Sequence, residues 1–213
     1  MKNSVLFLFV IMLSSFAFGQ NQDYYLKMAN KLPLFETSKT VADFQLLANT
    51  FVVISRDQAT EWLPMYYASL ATILMARTET DEDKIDIYLD QAQKYIDMAI
   101  KIKSDEPEIL ILQGLLHQSR IAVSPISRGQ KYSSMANEVF EKAKVLNPEN
   151  PRIYYLMAMN VLNTPKMFGG GKKNALPLFQ KADEKFNKFE PLSQIFPTWG
   201  NKNNKELLNL CIN

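Results

Sequence analysis

Cysteine, histidine and unbalanced charge are the scarce commodities of this chain. A single cysteine, Cys211, excludes a disulfide within the chain even in an oxidising compartment, so stability must rest on packing. A single histidine, His117, lies in an apolar stretch and reads as a packed residue. That leaves neither a histidine-based metal cluster nor a base for a nucleophile. Lys and Arg number 24 against 22 Asp and Glu, intermixed along the chain, for a formal charge of +2. Such a balance lacks the basic footprint of a nucleic-acid partner. The acidic stretch Glu79-Thr80-Asp81-Glu82-Asp83 lacks the glycine an EF-hand loop requires and reads as a solvated helix start. Sustained period-two alternation is missing throughout, which argues against a sheet.

What is present begins with an address. Residues 1–19 carry Lys2, an apolar run from Val5 to Leu13 and a small-residue end at Ala17-Phe18-Gly19, the layout of a signal peptide cleaved after Gly19. The run is shorter than the roughly 20 residues of a spanning helix. The expected product is therefore exported, periplasmic or secreted, with no membrane span after cleavage. Residues 20–213 are long enough for one domain with a continuous core. Apolar spacing and start signals predict helices near 22–32, 38–55, 60–77, 83–103, 107–122, 130–146, 151–163, 171–188 and 202–211. The expected fold is all-α.

Two spacings recur in the C-terminal half: Ala136-x3-Phe140-x2-Ala143 and Ala175-x3-Phe179-x2-Ala182, with Ala92-x3-Ile96-x2-Ala99 as a weaker copy. Each puts small and large apolar residues on one helical face, where the alanines let a neighbouring helix approach. Followed by Pro148, the first set resembles the second half of a tetratricopeptide repeat. Leu110, Gly114 and His117 stand at first-helix positions before it, and Tyr154, Met157, Ala158 and Val161 before the next. The resemblance covers about residues 60–190 and implies a right-handed α-α superhelix of stacked helical hairpins. Ala92 and Ala136 are 44 residues apart and Ala136 and Ala175 are 39 apart, against a family period of about 34. The extra residues are expected in turns at Ser124–Ser133 and Pro165–Gly171, projecting together from one edge.

The resemblance implies a non-enzymatic scaffold that binds a protein or peptide partner in the cell envelope. The alternative is an accessory component of a solute-uptake system that handles a small anionic ligand. The family's peptide contacts fall on the first helix of each pair, which here presents Glu108, Ile111, Leu115 and Gln118, then Arg152, Tyr155, Met159 and Asn163. Trp62, Met65 and Ser69 continue that line. The alternative is that a C-terminal helix fills the groove.

In the expected turns, Arg128 offers a charge and Tyr132 a rigid surface, while Phe168-Gly169-Gly170-Gly171-Lys172 offers backbone donors beside a cation at a helix start. Each also has a plain structural reading, as a cap, a packed ring or a tight turn. The glycine string is not a Walker A loop, since Lys166 and Lys173 stand where that motif needs a glycine and a hydroxyl. With Pro197-Thr198-Trp199-Gly200, these strings resemble exported bacterial proteins of tetratricopeptide type. No cofactor or metal is expected, and no nucleophile with its base is identifiable.

Overall fold

A computed structural model describes residues 22–212. The signal-peptide reading of residues 1–19 lies outside them.

Helix starts are set by local chemistry. α1 covers 22–29 and α2 covers Leu34–Thr37. At α3, Val41–Asp57, the Asp43 N–H donates to the Thr40 hydroxyl at 3.1 Å and the Thr40 N–H donates to the Asp43 carboxylate at 2.9 Å. This reciprocal cap satisfies two donors that a helix start leaves bare. α4 is Leu63–Thr78, and Asp81 caps α5, Glu82–Ile102, by accepting from the N–H groups of Asp83 and Lys84. Pro107 opens α6, Pro107–Ile121, and Pro151 opens α8, Pro151–Asn163, in first turns where a missing N–H goes unnoticed. α7 is Pro125–Leu146, α9 is Lys172–Phe186 and α10 is Asn201–Ile212, with a 3-10 turn at Lys166–Phe168 between α8 and α9. No strand occurs among the described residues.

The helices stand in two rows. α4, α6 and α8 touch in chain order, and α5, α7 and α9 pack on them one by one; α3 closes on α4 and α10 on α9. Outer helices bury one stripe each: Leu89, Ala92, Ile96 and Ala99; Ala136, Phe140 and Ala143; Ala175, Phe179, Ala182 and Phe186. Inner helices are buried nearly all round, α4 most of all. Each fully buried Phe contributes about 1.5–3 kcal/mol. Gly114 shows how closely the rows approach, because a Cβ there would lie 2.0 Å from the Phe140 ring.

The expected turn at 124–133 is instead helix. Pro125 starts α7 five residues before the expected residue 130, and Gly129 is tolerated in its exposed first turns, where a Cβ would meet nothing within 4 Å. Extra length between Ala92 and Ala136 is therefore partly helical. At 165–171 the added residues do form a turn.

After α9 the chain leaves the outer row and crosses the inner one from α8 to α4. Phe189 lies 4.6 Å from the Arg152 guanidinium, the Tyr67 hydroxyl donates to the Ile195 carbonyl at 2.9 Å, and the Trp199 indole N–H donates to the Tyr66 hydroxyl at 2.7 Å. Gly200, at φ +104°, then turns the chain into α10, and a side chain there would press on Phe186.

Candidate functional site

The crossing segment and α10 leave part of the inner surface open as a groove of about 1140 Å3. One wall is a stripe of α4: Tyr67, Leu70, Leu74 and Arg77, at the three- and four-residue intervals that share a helical face. Leu32, Phe35 and Phe44 form a second wall, and Phe35 packs with Tyr67 at 5.8 Å between ring centres. Leu115 of α6 and Tyr155 of α8 lie between, and Trp199, Lys202, Lys205, Glu206 and Asn209 bring the C-terminal segment to the opposite side.

The electrostatics of the rim are unbalanced. Lys39, Arg77, Lys202 and Lys205 face the groove against two carboxylates, Glu36 and Glu206. Lys39 donates to the Glu36 carbonyl at 3.1 Å. Arg77, Lys202 and Lys205 have no ion-pair partner among the described residues. Burial raises the pKa of the Tyr67 phenol, and the charge of Glu108 adds to it. Burial also raises that of Tyr155, opposed by Arg77 and assisted by Glu206. Both phenols are neutral at physiological pH. The groove is thus an apolar, aromatic slot with a cationic rim.

Of the residues singled out in the sequence, Tyr155 lines this groove, as do Leu115 of the inner-helix series and Thr198, Trp199 and Gly200 of the C-terminal string. Arg152 does not face a ligand. Its side chain and that of Glu108 are both fully buried, and the guanidinium Nε donates to the two carboxylate oxygens at 3.1 and 3.0 Å while Nη2 donates to Oε1. Burial opposes the charge on Arg152, but Glu108 outweighs it and holds its pKa above the ordinary value. Asn150 and Tyr66 donate to the same carboxylate.

Met159 is half-buried, and the exposed Asn163 donates its side-chain amide to the Met159 carbonyl at 2.9 Å. Arg128 grips Asp86 of α5 through two hydrogen bonds of 2.7 Å, and Tyr132 stacks on His117 at 6.0 Å. Both therefore belong to α7's packing toward α5 and α6, with their side chains engaged by Asp86 and His117. In the turn after α8, Phe168 is exposed.

Sequence reasoning missed Arg77, Lys202 and Lys205. The interval from Tyr67 to Arg77 was a usable signal, but tetratricopeptide positions pointed to the neighbouring line Trp62, Met65 and Ser69, all buried.

His117 is 8% exposed; it contacts the Gln113 side-chain amide at 3.2 Å, and burial, reinforced by Arg120, pushes its pKa down to about 4. With the folded value below the ordinary 6.5, the unfolded chain binds more protons between them. Stability from this residue is complete above pH 6.5 and is lost as pH falls toward 4. The wild type is expected to lose more stability than His117→Gln between pH 7 and pH 4.5 in urea titrations. Parallel losses in the two proteins would show that His117 is not buried in the neutral form.

No helix among the described residues is long and apolar enough to cross a membrane, and no group of His, Cys, Asp and Glu there is placed to hold a metal ion. No protein-family model matches the chain. A comparison with curated proteins finds no match. Among solved structures, the chain is similar to the HusA haemophore from Porphyromonas gingivalis, at 28% sequence identity and a TM-score of 0.80, over 88% of this chain and 92% of that one.

Proposed function

We propose that this chain is an exported, non-enzymatic carrier of haem or a porphyrin of the same shape, held in the groove between α4 and α10. The observation that carries the reading is the unpaired cationic rim of Arg77, Lys202 and Lys205 around an aliphatic and aromatic slot. A porphyrin has two large apolar faces and carries its carboxylates on one edge. Apolar walls with a few placed charges are how such sites bind and orient a ligand. The likeness to a haemophore over most of both chains supports the same cargo.

Export rests on the signal-like layout of residues 1–19. The two rows of paired helices favour a right-handed superhelix of tetratricopeptide type. Its inner row is crossed by residues 187–200, which favours a small ligand over an extended peptide.

Trp199 lines the groove and reports on it. Titration with haemin should give a saturable change in the Soret band and matching quenching of tryptophan fluorescence. Trp199→Phe should remove most of the quenching. A Soret band that never saturates, or binding unaffected by bulk introduced at Leu115→Trp, would count against a haem groove.

A further inference from the structure

We propose that the turn between α8 and α9 is a membrane-docking knuckle that seats on an anionic lipid surface. Its tip holds Met167 and Phe168, 82% and 72% exposed, side by side. The backbone beneath them is fixed. Phe168 N–H and Gly170 N–H both donate to the Pro165 carbonyl, at 2.9 and 3.2 Å, and Gly171 N–H donates to the Val161 carbonyl at 3.0 Å. The Asn174 side-chain amide ties down the Gly169 carbonyl at 2.9 Å. Gly169 and Gly171 adopt φ of +83° and +92°, and a Cβ on Gly170 would lie 1.9 Å from the Thr164 carbonyl oxygen. A turn braced in this way cannot fold its apolar tip inward.

The charge along the chain on either side of the tip has one sign. Lys166, Lys172 and Lys173 are exposed and have no ion-pair partner among the described residues. The sequence has no Asp or Glu between Glu149 and Asp183. An apolar tip flanked by cations matches the interface of an anionic bilayer, with the apolar side chains entering the acyl boundary and the lysines meeting headgroups.

Area favours lipid over a protein partner. A specific protein interface buries on the order of 1,000 Å2 or more, whereas two projecting side chains on a convex turn offer far less. A fluid surface takes a small wedge. Lys172 lies close enough to Cys211 of α10 to oppose the upward push of burial on that thiol. The knuckle therefore sits by the end of the helix whose Lys205 and Asn209 line the groove. The docking inference does not depend on what the groove carries.

The test is co-sedimentation of the exported chain, without haem, with phosphatidylcholine vesicles containing phosphatidylglycerol and with phosphatidylcholine alone. Binding is expected only to the anionic vesicles and should fall as salt rises. The double variant Met167→Ser with Phe168→Ser should weaken it by roughly tenfold or more and leave the melting temperature unchanged. Replacing Lys166, Lys172 and Lys173 by Gln should abolish the preference for anionic lipid. Equal sedimentation of wild type and the double variant would overturn the proposal. So would a wild type that ignores both vesicles while an acidic protein captures it through Met167 and Phe168.

Discussion

Glu108→Ala is expected to destabilise the fold by about 3–5 kcal/mol, because it strands a buried guanidinium. Arg152 and Glu108 have no solvent exposure, and Nε and Nη2 of Arg152 both donate to the carboxylate. The surrounding network of Asn150, Tyr66 and Trp199 joins α4, α6, α8 and the crossing segment. Removing the carboxylate leaves a charge that water cannot reach and takes the acceptor from two further donors, Asn150 and Tyr66. The exposed pair Lys142 and Glu138 is the contrast, since exposed pairs contribute about 0–1 kcal/mol. The double variant Glu108→Leu with Arg152→Met should recover much of the loss, because apolar groups of similar volume impose no desolvation penalty. Denaturant midpoints decide the matter. If Glu108→Ala costs no more than Glu138→Ala, the pair is not the buried keystone described above.

The second large effect is on cargo. Arg77→Glu, Lys202→Glu and Lys205→Glu together should lower haem affinity by at least roughly a hundredfold, since like charges in juxtaposition cost several kcal/mol and each 1.4 kcal/mol is tenfold. Folding should be unaffected, as the three side chains lie on exposed residues. No His, Cys or Met lines the groove, and its two tyrosines are neutral phenols. Affinity would then come from the porphyrin face and carboxylates. Iron-free protoporphyrin should bind within a few-fold of haem and lose the same factor in the triple variant. A strong preference for the iron form, with no response to the three substitutions, would move the binding determinant elsewhere.

Much of the helical framework was legible from residue spacing. Ala136, Phe140 and Ala143, like Ala175, Phe179 and Ala182, are fully buried, because a helix turns such intervals onto one face wherever it is placed. Pro107 and Pro151 start helices because their missing N–H groups cost nothing in a first turn. The site was much less legible. The repeat position of Arg152 predicts a groove residue, and only the proximity of Glu108, 44 residues earlier, converts it into a buried ion pair.

The sequence by itself determined which residues turn inward on each helix, where several helices begin, and that packing must replace disulfides. These follow from local geometry and composition. The tertiary structure decided what each inward face meets. Residues 187–200 have no helical period to announce their path, yet hydrogen bonds from Tyr67 to Ile195 and from Trp199 to Tyr66 lay them across the inner row. That crossing brings Lys202 and Lys205 opposite Arg77, more than a hundred residues away in the chain. Periodicity records burial but not its partner, so a groove made from distant segments is fixed only when the chain has closed on itself.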